Sequence, residues 1–476
     1  MLGNFTINNS HRKSKLEEMS TLNILREVLE KITPSTSERL KVSRIINEVK
    51  QRILKKAYEY GINVEISVEG SIAKDTWLSN DKDIDVFIHL PKELGNESLK
   101  TVGLEICKSA CENWIEAYAE HPYIQANMNG FKVDIVPVFK INSIDEAETA
   151  VARTPFHTRF INSKFNNYMR KEVRILKQFM KGTGVYGAEI KVRGFSGYLC
   201  ELLIYKYKSF TNLLENTSKW KPYHVVIDPA RHYSNLNEVK KIFVDPLIVI
   251  DPVDKKRNVA AALSIDKMSR FIAASRAFKE NPSLKFFFPT IDRITKNEMI
   301  KIRKKGFKTL FIILKCPKLA PDILWGEIFK SLEGLSTLLE KYDFKVLSKD
   351  AWSDEKNVVV LAFQLESMKI PRIKKHIGPP ISLCESEKNF LKKNILSRDV
   401  VSGPCIERDR WVIYKLRSIT KADDLIRNKF MEAKHGPHIK TQNFEVVIDE
   451  KILDKIDTDD FRIFLKKFMS KKENWI

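Results

Sequence analysis

Clustered cysteines and long apolar runs are what this 476-residue chain lacks. The six cysteines are scattered: Cys107, Cys111, Cys200, Cys316, Cys384 and Cys405. No CxxC motif or Cys/His set with zinc spacing occurs, which argues against zinc sites and predicts buried thiols in a reducing compartment. No apolar run reaches the length of a membrane span, and the start has no signal-peptide core. We therefore expect a soluble, cytoplasmic protein that does not enter a membrane.

Acidic residues are also fewer than basic ones. The chain has 61 Asp and Glu against 82 Lys and Arg, which gives a net charge of +21. Such a surplus favours a polyanionic partner, because each neutralised phosphate releases counterions. With 43% hydrophobic residues and 27 phenylalanines, the composition predicts folded domains and not a basic tail.

One motif joins a Gly-Ser turn, Gly70 and Ser71, to two carboxylates, Asp83 and Asp85. Side chains alternate along a strand, so the two carboxylates share one face. They repel each other unless a cation lies between them, and oxygen ligands suit Mg²⁺, which takes further ligands from water and phosphates. Gly70 lets the backbone approach an anion, and Ser71 adds a hydroxyl. The motif predicts a site for a metal ion and a nucleoside triphosphate.

As a bare pattern, the same residues also describe an ordinary turn and the solvated face of an edge strand. A third carboxylate favours the first interpretation. Asp134 interrupts the short apolar segment 131–137, and a buried charge there needs a partner. Three aspartates converging from neighbouring strands would hold two metal ions, as in-line phosphoryl transfer requires.

Hydrophobic periodicity and texture predict three segments: 1–160, 161–282 and 283–476. The first has an N-terminal helix after Pro34 and then a strand, turn, strand, helix, strand order, with its second helix expected from about Ser98 to Ala119. The segment 161–282 is mostly helical and rich in glycine. The segment 283–476 begins with a β-α-β-β pattern that fits a ferredoxin-like sheet. A separate α/β tail is expected to contain the strands 411–416 and 444–448. Residues 1–18 are polar, and Met19 is an alternative start.

The turn and the three aspartates resemble the polymerase-β-type nucleotidyltransferase superfamily. Three longer segments are more specific: 152–158, 182–201 and 251–262. Together they are similar to the archaeal-type (class I) CCA-adding enzymes, which are tRNA nucleotidyltransferases. The resemblance runs from about Thr36 to near the C-terminus and is strongest before Leu263.

The resemblance implies an α+β multidomain fold: a polymerase-β-like head, a helical neck, a ferredoxin-like (RRM-like) body and an α/β tail that bind tRNA. It implies addition of C, C and A to the tRNA 3′ end from CTP and ATP, with release of pyrophosphate. Asp83, Asp85 and Asp134 would be the catalytic residues and the ligands of two Mg²⁺ ions, with Asp134 nearest the attacking hydroxyl. A homodimer is left open.

The residues that the resemblance assigns to the nucleotide are Gly70, Ser71, Lys74, Thr154, His157, Lys177, Tyr186 and Arg257. Ser71 and Lys74 would hold the triphosphate. Thr154 and His157 would close the pocket, and His157 is expected on a loop. Arg257 would contact the base edge, where its planar donor fork meets acceptors of C and A.

Two positions depart from the family pattern. Lys74 stands where the family usually has Arg, and Asp83 where it often has Glu; neither change removes the chemistry. Lys177 and Tyr186 are implied to reach the triphosphate from the neck, but Lys177 could equally be the solvated face of its helix and Tyr186 a buried aromatic.

Two competing functions stay open at this point. A poly(A) polymerase or oligoadenylate-type enzyme would share the head chemistry but use ATP alone. A non-catalytic RNA-binding protein would explain the charge of +21 but has no need of three metal-ligating carboxylates.

Overall fold

The structure, a computed structural model, describes residues 19–118, 122–290 and 292–476. The described residues form two compact units. One comprises those up to Thr290 together with Glu473–Ile476, and the other comprises residues 292–472. The boundaries expected at residues 160 and 282 divide the chain differently and stay predictions. The alternative start at Met19 concerns residues 1–18, which lie outside the described part.

A five-stranded mixed sheet organises the first part of the first unit. In chain order its strands are β1 (Glu65–Glu69), β2 (Asp83–Leu90), β3 (Trp114–Tyr118), β4 (Pro122–Met128) and β5 (Phe131–Phe139). They lie side by side in the order β1-β2-β5-β4-β3. The β2–β5 pair is parallel, and the other neighbours are antiparallel. Ile84, Val86 and Ile88 of β2 are buried in the core, so the residues between them face the other side.

Helices cover this sheet and then make up most of the rest of the unit. They are α1 (residues 19–32), α2 (Thr36–Glu59), α3 (Gly70–Ala73), α4 (Val102–Lys108), α5 (Thr154–Lys164), α6 (Asn167–Gly182), α7 (Gly197–Tyr207), α8 (Phe210–Thr217), α9 (Leu236–Ile242) and α10 (Ile265–Glu280). A short parallel pair, β6 (Val225–Ile227) and β7 (Leu247–Val249), lies between them. Ser35 and Glu38 form a capping box at the start of α2. The helix expected from about Ser98 to Ala119 is wrong, because α4 ends at Lys108 and β3 follows.

The second unit contains a four-stranded antiparallel sheet built from β8 (Lys308–Lys315), β9 (Val346–Ser353), β10 (Val358–Leu365) and β14 (Phe444–Ile448). Their order, β14-β8-β10-β9, places the fourth strand beside the first, as in a ferredoxin-like sheet. The assignment of 444–448 to a separate tail is therefore wrong. A second, three-stranded sheet has the order β11-β13-β12, from β11 (Ile373–Pro380), β12 (Val400–Glu407) and β13 (Arg410–Leu416).

Helices pack on both faces of the four-stranded sheet. They and the remaining helices of this unit are α11 (Lys296–Lys304), α12 (Pro321–Lys341), α13 (Cys384–Asn394), α14 (Ala422–Lys429), α15 (Pro437–Lys440) and α16 (Asp459–Ser470). Leu310 and Ile312 of β8 join one core with α12, whereas Phe311 joins another with α16. The body is thus a sheet between two helical layers. None of the helices described here is both long and apolar enough to span a membrane.

Candidate active site

Three aspartates meet on one face of the five-stranded sheet. Asp83 and Asp85 lie on β2, and Asp134 on β5 is the direct parallel partner of Asp85. Because residues i and i+2 of a strand share a face, the register brings the three carboxylates to one patch, which we call the acid face. The register thereby matches the sequence prediction that these aspartates converge.

Two carboxylates of the acid face, Asp85 and Asp83, have raised pKa values. Burial raises the pKa of Asp85 from 3.8 to about 6, and the charges of Asp134 and Asp83 add to the effect. The pKa of Asp83 is also raised, first by burial. Among the residues that the structure describes, Asp85 has no hydrogen-bond or ion-pair partner. Such crowding of like charges is costly unless positive charge is supplied.

Asp134 differs from the other two because it has protein partners. Lys132 Nζ lies 3.1 Å from its Oδ2, and Gln125 Nε2 donates to its Oδ1 at 3.0 Å. Burial lowers the pKa of Lys132, but Asp134 and Asp83 outweigh it and leave that pKa above its usual value. Lys132 is therefore the β5 side chain that places a positive charge beside the acid face.

The donor set of the acid face fits a hard divalent cation, since it offers only carboxylate oxygens and an excess of negative charge. As they stand, no three His, Cys, Asp or Glu side chains in the described ranges are arranged to hold one ion together. One oxygen of Asp134 faces Lys132 and the other faces Gln125. Each oxygen keeps a second lone pair, so Asp134 has acceptor capacity left for a cation.

The Gly-Ser turn is in close contact with the acid face. Gly70 begins α3 with φ +69°, and a Cβ atom built there would lie 1.9 Å from Asp85 Oδ2. Any other residue would displace this carboxylate and strain the backbone. Ser71 follows directly, so the predicted phosphate-binding turn adjoins the predicted metal ligands.

Lys74 and Lys177 both face a buried carboxylate, that of Glu201 on α7. Lys74 Nζ lies 2.6 Å from Glu201 Oε2, and the Thr76 hydroxyl donates to Oε1 at 2.6 Å. Lys177 Nζ donates to the Thr76 carbonyl at 3.0 Å and lies 3.9 Å from Glu201 Oε1. The lysines are 6% and 1% exposed. The interpretation of Lys177 as a solvated helix face is therefore wrong.

Tyr186 and the surrounding glycines form a tightly packed turn. A Cβ on Gly197 would lie 3.2 Å from the Tyr186 hydroxyl and 3.6 Å from Lys177 Nζ, and a Cβ on Gly194 would lie 2.0 Å from the Val185 carbonyl. Tyr186 packs against the hydrophobic core, and burial raises its pKa well above the usual value. The glycine density of this segment thus reflects close backbone approach.

His157 and Arg257 meet at a second buried carboxylate, Asp251. The Asp251 Oδ2 atom accepts from His157 Nε2 at 2.8 Å and from Arg257 Nη1 at 2.9 Å. Its Oδ1 atom accepts from the Tyr198 hydroxyl at 3.0 Å. His157 and Thr154 lie in the first turn of α5, so the expected loop is wrong. We call Asp251 and these three partners the Asp251 centre.

Burial and charge act on the Asp251 centre in opposite directions. Burial alone would raise the pKa of Asp251, but His157, the Val253 N–H and Arg257 outweigh it and lower the pKa. Burial lowers the pKa of His157, against the effect of Asp251. The imidazole is therefore neutral near pH 7.

Four residues of these networks are not predicted by the sequence motifs: Glu201, Asp251, Tyr198 and Thr76. The first three lie inside the segments 182–201 and 251–262 that carry the family resemblance. The available signal was a carboxylate beside apolar residues, as in the run from Tyr198 to Leu203, because a buried charge needs a partner. Only the structure shows which partner it has.

Comparison with known proteins covers nearly the whole chain. The nucleotidyltransferase domain matches residues 42–160, the second domain of tRNA nucleotidyltransferase matches 171–288, and the C-terminal domain of CCA-adding enzymes matches 305–449.

Three archaeal relatives, all described as CCA-adding enzymes, are similar along most of their length. The protein of Methanosarcina barkeri is 37% identical over 451 residues, which is 93% of this chain and 97% of the relative. That of Saccharolobus islandicus is 40% identical over 77% of this chain and 84% of its own. That of Pyrobaculum islandicum is 37% identical over 86% and 94%, respectively. The resemblance in the motifs is confirmed, and the chain belongs to the CCA-adding enzyme family of nucleotidyltransferases.

Proposed function

We propose that this enzyme adds C, C and A to the 3′ end of tRNA from CTP and ATP, without a nucleic-acid template, and releases pyrophosphate. Family membership supports the reaction class, and the acid face is the observation that carries the chemistry. Its carboxylates lie beside a turn where only glycine fits, and they need positive charge. The ribose hydroxyl at the tRNA end attacks the α-phosphate of the nucleotide, and the bond to pyrophosphate breaks.

We assign Asp83, Asp85 and Asp134 as ligands of two Mg²⁺ ions. When bound, such ions stabilise charge on the attacking and leaving oxygens of an in-line displacement. Within the protein, Lys132 balances part of the negative charge before substrate arrives. Asp134 is nearest the attacking hydroxyl in this assignment and accepts the proton of that hydroxyl on a free lone pair.

We assign the triphosphate to the turn at Gly70 and Ser71 and to Lys74. An ammonium group has three donors, and Glu201 takes one of those on Lys74. Lys177, which is 1% exposed, then acts through the same buried network and not as a free surface cation. The Tyr186 hydroxyl and Lys177 Nζ both approach Gly197, and we assign Tyr186 to this side of the site. Thr154 begins α5 and is assigned to the nucleotide pocket.

A tRNA lacking its last three nucleotides, incubated with each labelled NTP separately and in pairs, tests the proposal. CTP alone should add two residues, CTP with ATP should add three and then stop, and UTP and GTP should add none. Product sequencing and omission of Mg²⁺ complete the assay, and the Asp85→Asn variant serves as the blank.

Two other outcomes would contradict the proposal. A long tail made from ATP alone would identify a poly(A) polymerase-type enzyme. Tight tRNA binding without incorporation of any nucleotide would identify an RNA-binding protein. We also propose a cytoplasmic location, and light scattering of the purified protein distinguishes a monomer from a homodimer.

A further inference from the structure

Asp251 is a fully buried carboxylate that joins three elements of the first unit. It lies just beyond β7, and its side chain has no exposed surface. Two donors reach Oδ2, from His157 on α5 and from Arg257. Two others reach Oδ1, the Tyr198 hydroxyl of α7 at 3.0 Å and the Val253 N–H at 3.1 Å. A carboxylate has about four lone-pair sites, so all of them are in use.

Two of these four donors are the side chains assigned to the nucleotide pocket and to base selection. Because Asp251 has no acceptor site left, it has nothing to offer a ligand directly. On the basis of the proposed function, we propose that Asp251 is a positioning residue that fixes His157 and Arg257 in the orientation in which they meet the incoming nucleotide. A buried charge is costly to keep, and this role accounts for its presence.

The contact with Asp251 sets the state of the His157 ring. The ring stacks on Tyr198 with centroids 4.1 Å apart and planes inclined by 24°. Since Nε2 faces a carboxylate, a neutral ring carries its proton there and leaves Nδ1 as an acceptor. Burial, Arg257 and Lys74 all lower the pKa of His157, and only Asp251 raises it. A neutral ring with a fixed acceptor suits an exocyclic amino group or a ribose hydroxyl.

The same carboxylate sets the direction of Arg257. Its Nη1 is held by Asp251 and lies 3.4 Å from His157 Nε2, while 34% of the side chain is exposed. Its other guanidinium N–H groups have no side-chain partner within the described ranges and are free to donate to a ligand. Asp251 therefore places a fixed donor beside a fixed acceptor, the pair of functions that C and A share.

The matched pair Asp251→Asn and Asp254→Asn tests the inference. Asp254 lies in the same loop and pairs with Arg153 at 3.1 Å, but its side chain contacts neither His157 nor Arg257. Asp251→Asn should raise the KM for CTP and ATP by about tenfold or more, as expected for a lost charge-assisted contact. Asp254→Asn should stay within about twofold of the wild type.

A spectroscopic measurement separates positioning from the reaction itself. In Asp251→Asn, histidine NMR should show a lower pKa for His157, because Arg257 and Lys74 then act on it without the opposing carboxylate. In Asp254→Asn that pKa should not move. An unchanged His157 signal in Asp251→Asn would overturn the inference even if the wild type added no nucleotide, whereas inactivity of the wild type would contradict only the proposed function.

A double-mutant cycle leaves Asp251 in place and covers the case in which Asp251→Asn does not fold. If Asp251 orients His157 and Arg257 together, the combined His157→Gln and Arg257→Ala variant should lose less activity than the product of the two single losses. Independent, multiplying losses would show that the two side chains are not held as one unit, and Asp251 would then be structural only.

Discussion

Asp85 on the acid face is half-buried and Asp251 beyond β7 is fully buried, and their surroundings move their pKa values in opposite directions. The pKa of Asp85 is raised to about 6 by burial and by two neighbouring carboxylates. The pKa of Asp251 is lowered despite burial, because His157, the Val253 N–H and Arg257 all donate to its carboxylate or carry positive charge. Within the part of the chain that the structure describes, Asp85 lacks a partner, whereas Asp251 has as many as it can accept.

This difference distinguishes two reasons for burying an acid. A carboxylate left among like charges costs stability, so its retention points to a cation that arrives with the substrate. A carboxylate with every acceptor site filled is rigid, so its value lies in the orientation of its partners. Glu201 is closer to the second kind, since Lys74 and Thr76 each donate to one of its oxygens. Replacing Asp85 should therefore affect activity and stability differently from replacing Asp251 or Glu201.

The largest expected effect follows from removing one charge of the acid face. Asp85→Asn keeps the volume but removes a proposed metal ligand, so nucleotide addition should fall on the order of a thousandfold or more. tRNA binding, measured by filter retention, should be nearly unchanged. Asp81→Asn is the matched control, because Asp81 lies just before β2 and pairs with Lys181. Near-normal addition by Asp85→Asn in Mg²⁺ would remove the acid face from the mechanism.

A large loss of stability should follow from removing a fully paired acid. Glu201→Gln leaves Lys74 and Lys177 buried without their carboxylate, and should lower the free energy of unfolding by about 3–5 kcal/mol. Urea unfolding measures this. Glu27→Gln, which breaks an exposed pair with Lys31, should cost less than about 1 kcal/mol. Equal losses in the two variants would show that the buried network is not held by its charges.

A smaller effect concerns base selection. Arg257→Ala should reduce the preference for CTP and ATP over UTP and GTP by roughly 1–3 kcal/mol, the value of a lost base-edge contact. Single-nucleotide addition assays give the four rates. Lys256→Ala, at the exposed neighbouring position, should leave the preference unchanged. If Arg257→Ala keeps full selectivity, then Arg257 binds phosphate or serves structure, and another group selects the base.

Elements that depend on neighbouring residues could be predicted from the sequence alone. The capped helix α2, the alternation of β2 and the β-α-β-β order of the body could all be predicted, because caps and periodicity act within a few residues. The strand Trp114–Tyr118 could not be predicted in this way, since it forms only by pairing with β4. The strand Phe444–Ile448 was misplaced for the same reason, because its partner β8 lies more than a hundred residues earlier.

The residues of the site also fall into those that local spacing predicts and those that it does not. The two aspartates of β2 could be placed on one face from their spacing alone. The pairing of Lys74 with Glu201 spans 127 residues, and that of His157 with Asp251 spans 94. No local pattern encodes such partners, so the sequence suggested lysines and a histidine reaching a ligand but not the carboxylates that hold them. The family resemblance marked the right segments without giving their contacts.

Unfolding free energies of Asp85→Asn and Asp251→Asn, measured between pH 4 and 8 without divalent cations, test the central distinction most directly. Raised pKa values mean that the folded state binds extra protons, so Asp85 costs stability as the pH rises from about 4 to 6. Asp85→Asn should therefore stabilise the protein by on the order of 1–2 kcal/mol at pH 8 and not at pH 4. The lowered pKa of Asp251 works the other way, and Asp251→Asn should destabilise at pH 8 by about 1–3 kcal/mol. The titration of Asp251 itself leaves this loss in place down to about pH 4, because its stabilising contribution is given up only as the pH falls below its usual pKa of 3.8. Changes of the same sign in both variants at pH 8 would contradict the account.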